Sequence, residues 1–252
     1  MANDDQPDRW DRLYDRFRAT EFGQAVFRAP RRRTARDRIA GQSSNFLLHL
    51  YPARMRRREI EFRHSWYLGV ISVVLLVILV VTGVALMFFY VPSTDAAHQM
   101  VGELTTEVPF GRFMRNAHRW AGHLMVISVS AHMLRIFYRG AYKKPRQFNW
   151  IVGVNLLILT LMLAFTGYLL PWDQLSFWAV TVSTEALDYV PLIGDELKEL
   201  ALGGAEITDA TLLRFYVLHV AVLPLIMVGL VMLHLWRWRK DARLPQEFDD
   251  DE

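Results

Sequence analysis

The sequence predicts an all-α membrane protein with four transmembrane helices, and two observations support this prediction. Hydrophobic residues make up 52% of the 252 residues, and they are clustered in long runs. Four runs are each long enough to cross a hydrocarbon layer of about 30 Å, because an α-helix rises about 1.5 Å per residue. These runs are residues 66–90, 114–138, 150–170 and 212–238. We therefore expect a four-helix transmembrane bundle within residues 61–240, with short surface helices between the third and fourth runs.

The two ends of the chain differ from this bundle. Residues 1–60 form a predicted N-terminal extension rich in arginine, and residues 241–252 form an acidic tail. Within the extension, Trp10, Leu13, Tyr14 and Phe17 would share one side of a short helix, which is typical of an amphipathic surface segment. The high charge of the extension is equally typical of a disordered tail.

The charges between the runs predict how the chain crosses the membrane. Basic residues dominate before the first run, between the second and third, and after the fourth, as shown by Arg54, Arg56, Arg57, Arg58 and Arg63, by Arg139, Lys143, Lys144 and Arg146, and by Arg237, Arg239 and Lys240. The connection over residues 173–211 is acidic and contains one basic residue, Lys198. By the positive-inside rule, both termini are cytoplasmic and the second and fourth helices run in the same direction. The net charge of +3 does not indicate a nucleic-acid partner.

Two of the predicted helices carry spaced histidines. His118 and His132 are 14 residues apart (132 − 118 = 14), so they diverge by about 40° and lie about 21 Å apart along the axis. His219 and His234 are 15 residues apart (234 − 219 = 15), a divergence of about 60°. Because these helices run in the same direction, the first histidines pair near the outer membrane surface and the second near the inner surface. Two imidazoles at one depth are how a helix bundle holds a six-coordinate, electron-transferring haem.

The other two helices carry glycines at the histidine interval. Gly69 and Gly83 lie in the first run, and Gly153 and Gly167 in the third. They would let a flat macrocycle approach the backbone, although glycine also eases contact between membrane helices. The chain contains no cysteine, so any haem would be bound without a thioether link.

Two arginines accompany the histidines. Arg115 lies three residues before His118, and Arg135 lies three residues after His132. Each therefore shares the face of its histidine and extends toward the nearer membrane surface. They would bind anionic haem propionates or, alternatively, reach lipid headgroups.

Several stretches carry a resemblance to a known family. They are Arg115-Asn-Ala-His118-Arg-Trp120, Gly140-Ala-Tyr-Lys-Lys-Pro-Arg146, Asn149-Trp-Ile-Val-Gly153, Thr166-Gly-Tyr-Leu-Leu-Pro-Trp-Asp-Gln174, Pro191-Leu-Ile-Gly194 and Leu213-Arg-Phe-Tyr-Val-Leu-His219. In these stretches the sequence resembles the N-terminal half of the cytochrome b family, the core subunit of Rieske/cytochrome b quinol-oxidising complexes. The 15-residue histidine interval is more similar to the cytochrome b6 branch, a split cytochrome b, than to the mitochondrial branch, whose fourth helix has 14.

The resemblance implies the following site residues, and it identifies no catalytic residue. His118 and His219 would bind a low-potential haem, and His132 and His234 a high-potential haem. Further haem contacts, to the propionates or by packing, would come from Arg115, Arg119, Arg135, Trp66, Gly69, Gly83, Gly153 and Gly167. The wall of an outer quinol site would comprise Tyr168, Pro171, Trp172, Leu175, Trp178 and Ala179. For the two tryptophans, packing at the membrane interface is the alternative role.

The sequence departs from the family pattern in two places. The chloroplast-type member attaches an extra haem through a cysteine before the first helix glycine, whereas this chain has Tyr67 there, so no cysteine-linked haem is expected. The family's Pro-Glu-Trp-Tyr motif is absent, and only 18 residues follow His234 (252 − 234 = 18). A separate chain similar to subunit IV is therefore expected to complete the quinol site.

These expectations define a function and its alternatives. The chain would be the dihaem subunit of a quinol:cytochrome c, or similar acceptor, oxidoreductase in the cell inner membrane, passing electrons from an outer quinol through two haem b groups to an inner quinone and contributing to the proton-motive force. Its expected partners are the subunit IV-like chain, a Rieske iron–sulfur protein and a c-type cytochrome, in a homodimeric complex within the lipid bilayer. The alternatives are a dihaem membrane anchor of another respiratory oxidoreductase, and a haem-free transporter or structural membrane protein.

Overall fold

A computed structural model describes residues 66–241 of the protein, together with Leu13, Arg16, Phe17, Ala19 and Thr20. Leu13, Arg16 and Phe17 are helical and exposed. The remaining residues of the predicted extension, and the predicted tail beyond residue 241, lie outside the described part of the chain.

Residues 66–241 form helices and connecting turns, with no strand in that range. The helices are α1 (Leu68–Met87), α2 (Ala97–Thr106), α3 (Gly111–Tyr138), α4 (Gln147–Leu169), α5 (Gln174–Glu185), α6 (Gly194–Leu202), α7 (Asp209–Val217) and α8 (Leu223–Asp241). A 3-10 turn follows α5 at Ala186–Tyr189, and a π turn at Leu218–Val222 joins α7 to α8. The prediction of an all-α fold with short surface helices before the last long helix is confirmed. Helix α2 is not among the helices predicted from the sequence.

The long helices differ in how apolar they are. Within the described residues, three helical stretches are long and apolar enough to cross a membrane: α1, α4 and the continuous stretch Asp209–Lys240. The remaining predicted crossing, the second along the chain, is α3, which has 28 residues and is therefore about 42 Å long. Its hydropathy is lower because histidines and arginines lie along it, and polar side chains at membrane depth normally face the interior of a bundle.

The long helices pack as two pairs. Helix α1 lies against α3, and α4 lies against α8, while α4 also contacts α3 and joins the pairs. Between the two histidine levels, Leu75 of α1 packs with Ala121, Met125 and Val129 of α3 in one buried apolar cluster. Ser128 of α3 also approaches Ser72 of α1, with 2.9 Å between their hydroxyl oxygens. Between the two histidine levels, the contact of α1 with α3 is therefore mainly apolar and includes one contact between hydroxyl groups.

The π turn has a cause in the sequence. Pro224 is the second residue of α8, and its ring would clash with the carbonyl group four residues earlier, on Val220, in a regular α-helix. Proline also lacks the N–H that would bond to that carbonyl. A π turn places one extra residue in the helix and is one of the recognised ways in which a helix accommodates such a break. The fourth long helix is therefore interrupted next to His219.

Candidate functional site

His118 and His219, the two histidines predicted to lie near the outer membrane surface, meet in the bundle and are named the outer pair. The imidazole rings of His118 and His219 have centroids 6.2 Å apart and planes inclined by 77°. His118 lies in α3 and His219 in the π turn. The bundle therefore brings together two side chains that are 101 residues apart in the sequence (219 − 118 = 101).

The spacing of these rings fits an iron atom bound between them. Two metal–nitrogen bonds of about 2 Å, plus about 1 Å from each nitrogen to its ring centroid, give a centroid separation of about 6 Å. Within the described residues, no group of three or more His, Cys, Asp and Glu side chains could hold a metal ion. A site with two imidazoles suits a haem, whose macrocycle supplies the remaining nitrogen ligands.

Two threonine hydroxyl groups contact the Nδ1 atoms of the outer pair. Thr82 Oγ1 of α1 lies 2.9 Å from His118 Nδ1, and Thr166 Oγ1 of α4 lies 3.1 Å from His219 Nδ1. Each histidine is thus contacted through one ring nitrogen by a neighbouring helix. The other nitrogen, Nε2, is left for a ligand.

The inner histidines form a second group toward the other end of the bundle. His132 of α3 and His234 of α8 lie close enough to interact electrostatically. Because His118 meets His219 while His132 approaches His234, α3 and α8 run in the same direction. Nδ1 of His234 is buried, and the imidazole lies beside the backbone of Asn149 rather than beside a threonine hydroxyl group. The inner group therefore lacks the threonine contact seen at the outer pair.

Each of the four glycines predicted to contact haem faces the edge of one histidine ring. A Cβ atom on Gly69 would lie 3.5 Å from His132 Cε1, and one on Gly83 would lie 3.2 Å from His118 Cε1. A Cβ atom on Gly153 would lie 3.6 Å from His234 Cε1, and one on Gly167 would lie 2.5 Å from His219 Cε1. The glycines therefore leave room for the histidine rings, two at each level. The sequence predicted that these glycines make room for a flat macrocycle. In the structure, the groups next to them are the histidine rings themselves.

Substituting Gly167 with alanine is expected to displace His219 and weaken binding at the outer pair. Alanine normally stabilises a helix by about 0.5–1 kcal/mol relative to glycine, but a Cβ atom 2.5 Å from His219 Cε1 requires the ring to move. Overpacking of this kind costs about 1–3 kcal/mol. Haem content and thermal unfolding of the purified variant measure the effect. Gly229→Ala is the matched control, since nothing lies within 4 Å of its added Cβ, and an equal loss in both variants would contradict the role of Gly167.

The basic residues predicted to contact haem propionates occupy different environments. Arg115 is partly buried and Arg119 is exposed. The guanidinium carbon of Arg135 lies 4.1 Å from the ring centroid of Trp66, a cation–π contact. Trp66 and Arg135 therefore meet at the end of the bundle nearer His132, on the level of the inner pair.

The predicted wall of a quinol site surrounds the corner between α4 and α5. Trp172 and Ala179 pack against the buried cluster of Leu169, Val180, Leu202 and Phe215, so both have a structural role. Pro171 is half-buried, whereas Tyr168, Leu175 and Trp178 are at least half exposed. The corner therefore has an apolar surface outside the bundle and a packed side within it.

The corner is fixed by polar contacts on its outer side. The carboxyl group of Asp173 caps α5, accepting from the Ser176 backbone N–H at 2.8 Å. That hydrogen bond is the main reason why the pKa of Asp173 is held below its usual value. Tyr90 donates its hydroxyl hydrogen to the Leu170 carbonyl at 2.7 Å, and its ring stacks on Tyr216 at 5.3 Å. Tyr90, just after α1, thus contacts the corner directly and links it to α7 through Tyr216.

Thr82 and Thr166 are not among the predicted site residues, although a repeat in the sequence marks them. Residues of α1 and its N-terminal flank recur in α4 at an offset of 84 (150 − 66 = 84): Trp66 and Trp150, Gly69 and Gly153, Leu79 and Leu163, Thr82 and Thr166, Gly83 and Gly167. The repeat marks the threonine as well as the glycine as a shared feature of the two helices. Pro224 was likewise a signal for the π turn.

Comparison with known proteins identifies the family. The family model described as cytochrome b/b6/petB matches residues 58–242. Cytochrome b6 of Heliobacterium modesticaldum is 47% identical over 167 residues, which cover 66% of this chain and 78% of that protein. Cytochrome b6 of Heliobacterium mobile is 44% identical over the same length and the same shares of both chains.

A solved structure supports the same assignment. A chain of a structure described as a hyperthermophilic respiratory Complex III is 31% identical, with a TM-score of 0.67, and the match covers 75% of this chain and 51% of that one. The chain spans about half the length of this structural relative. With its apolar helices, its family match and these relatives, this membrane protein belongs to the cytochrome b/b6 family.

Proposed function

We propose that the chain is the dihaem subunit of a quinol-oxidising complex of the bc or b6f type. The observation that supports this proposal most directly is the 6.2 Å separation of the His118 and His219 ring centroids, which suits an iron atom between them. His118 and His219 would hold the outer haem b, and His132 and His234 the inner one. The family match implies haem b, and the absence of cysteine in the sequence is consistent with non-covalent binding.

The two histidine levels give electrons a path across the bundle. A haem bound by two histidines accepts and releases one electron without exchanging its axial ligands. His118 and His132 lie about 21 Å apart along α3, so the two levels span most of the hydrocarbon layer. Movement of an electron inward opposes a cytoplasm-negative potential and costs about 2.3 kcal/mol per 100 mV for a full crossing. The outer site must therefore have a lower redox potential than the inner site.

The outer quinol site would form at the corner between α4 and α5. Tyr168, Leu175 and Trp178 present exposed apolar surface there, which a quinol ring or a neighbouring chain would cover. A separate subunit IV-like chain would complete this site and supply its proton-accepting glutamate. Oxidation of a quinol releases two electrons. One would enter the outer haem, and the other would pass to a Rieske iron–sulfur protein and then to a c-type cytochrome. The complex would be homodimeric and would contribute to the proton-motive force.

The charge distribution supports an orientation in the cell inner membrane. The acidic α4–α7 connection would lie outside, and the basic α3–α4 connection would lie in the cytoplasm together with both termini. The outer histidine pair then lies near the acidic side. A dihaem anchor of another respiratory enzyme would share the paired histidines, but the match to cytochrome b/b6 over residues 58–242 favours the quinol-oxidising complex.

Haem analysis of the purified complex tests this proposal. We expect two non-covalent b-type haems per chain, two separate midpoint potentials in a redox titration, and reduction of both haems by an added quinol. A preparation of intact, folded protein with no b-type band in its reduced-minus-oxidised spectrum would overturn the proposal and favour a haem-free transporter. Haem bands that respond to another donor but not to quinol would favour the membrane-anchor alternative.

A further inference from the structure

Two threonine hydroxyl groups distinguish the outer histidine pair from the inner pair. Thr82 Oγ1 lies 2.9 Å from His118 Nδ1, and Thr166 Oγ1 lies 3.1 Å from His219 Nδ1. Both threonines come immediately before the glycine that faces the same ring. At the inner level, the residues before the corresponding glycines are Leu68 and Val152, which have no hydroxyl group. The hydroxyl contacts are therefore specific to one level of the bundle.

The contacts of the threonines determine the direction of these hydrogen bonds. Thr82 Oγ1 lies 2.6 Å from the Ile78 carbonyl oxygen, and Thr166 Oγ1 lies 2.9 Å from the Met162 carbonyl oxygen. A carbonyl oxygen can only accept, so each hydroxyl donates its single hydrogen to its own helix. The lone pairs of each hydroxyl oxygen then accept from Nδ1–H of the histidine. The backbone of Leu79 is a second hydrogen-bond partner of the His118 imidazole, and the backbone of Leu163 is a second partner of the His219 imidazole.

This direction fixes the chemical form of both imidazoles. With the proton on Nδ1, Nε2 carries the lone pair that binds a metal. An acceptor at Nδ1–H makes the imidazole a stronger electron donor and fixes the orientation of its ring. A stronger donor stabilises the oxidised iron relative to the reduced iron, which lowers the redox potential of the site.

We propose that Thr82 and Thr166 are positioning residues that lower the redox potential of the outer haem below that of the inner haem. Each acts through the histidine that it contacts. The proposal rests on the proposed function, because it requires a haem at each level. It assigns the potential difference that inward electron transfer needs to two side chains on α1 and α4, outside the four axial ligands.

Valine substitution tests the role of each hydroxyl, because valine keeps the branched shape of threonine and removes the acceptor. We expect Thr82→Val and Thr166→Val each to raise the midpoint potential of the outer haem, with a larger rise in the double variant and no shift of the inner haem. Redox titration of the intact complex, followed optically at both haems, measures the shifts. In electron paramagnetic resonance of the oxidised protein, we expect only the signal of the outer iron to change.

Two further variants separate the hydrogen bond from helix packing. Thr82→Ser restores the acceptor and should return the potential to its original value. Thr160→Val is the matched control, since Thr160 of α4 is buried and donates to the Leu156 carbonyl at 2.8 Å, as Thr82 and Thr166 donate to their helices, and its potentials should not change. If a valine variant loses the outer haem, Thr82→Ala provides the same measurement without the second methyl group.

The outcomes distinguish this proposal from the proposed function. An unmodified complex with no haem, or with one, would overturn the proposed function itself. Two haems whose potentials are unchanged in the valine variants, or shift equally at both levels, would overturn the role of the threonines alone. A shift in Thr160→Val as large as that in Thr166→Val would do the same.

Discussion

Replacing His118 with alanine is expected to remove one haem and leave the other bound. The His118 and His219 rings are 6.2 Å apart, so loss of either imidazole leaves the outer site with one axial ligand. The inner level lies about 21 Å along α3 and keeps His132 and His234. The haem-to-protein ratio should therefore fall by about half, since one of two six-coordinate sites is lost. Haem extraction and a reduced-minus-oxidised spectrum measure the change.

The same helix provides a control for this substitution. His123 is exposed, and its ring contacts Trp120 at a centroid distance of 5.9 Å. His123→Ala should retain both haems and both spectral components. His219→Ala should reproduce the spectrum of His118→Ala, because the two side chains serve one site. Retention of both haems in His118→Ala would exclude this pairing.

Deleting one residue from α3 is expected to cause the loss of haem, whereas deleting one residue from the π turn is expected to leave both haems bound. Each residue of an α-helix contributes about 100° of rotation and about 1.5 Å of rise. Deleting Ile127 of α3 would therefore turn His132 away from the face of His118. Deleting Val220 would shorten the interval from His219 to His234 to 14 residues (234 − 219 − 1 = 14), the interval that α3 already has. The π turn supplies the residue that can be removed.

The deletion of Val220 needs one further change. In a regular helix the Pro224 ring would meet the carbonyl group four residues earlier, so we combine the deletion with Pro224→Ala, and Pro224→Ala alone is the control. We expect the combined variant to bind two haems and the Ile127 deletion to lose at least one. Haem content per folded chain, with helicity checked by circular dichroism, gives the comparison. Equal losses in both deletion variants would show that the π turn does not serve the histidine register.

The sequence predicted the helices and the meeting of the outer histidines because both depend on simple periods. A run of apolar residues long enough for a bilayer has few alternatives to a helix. The 14-residue interval between His118 and His132 returns to nearly the same helix face. The direction of the helices, which decides which histidines meet, came from the acidic and basic connections. The structure brings His118 and His219 together as this reasoning requires.

Other features depend on contacts that no single period encodes. Helix α3 begins at Gly111 and α7 at Asp209, beyond the apolar runs, because polar residues remain solvated where a helix leaves the hydrocarbon layer. The contacts of Thr82 and Thr166 cross between helices, and a helix pattern alone does not show which hydroxyl meets which ring. A 15-residue interval predicts a 60° divergence only in a regular helix, and the π turn changes that geometry.

Each of the two packed helix pairs carries one histidine of each level, on α3 or on the π turn and α8, and the glycine that faces it, on α1 or α4. A single helix pair of this kind could complete neither histidine pair, whereas two copies related by a two-fold axis would form both histidine pairs at their interface. Because the two helix pairs belong to one chain, their sequences can differ from each other. Only the second helix pair carries Pro224 and the π turn, a difference that a symmetric pair of identical chains could not have.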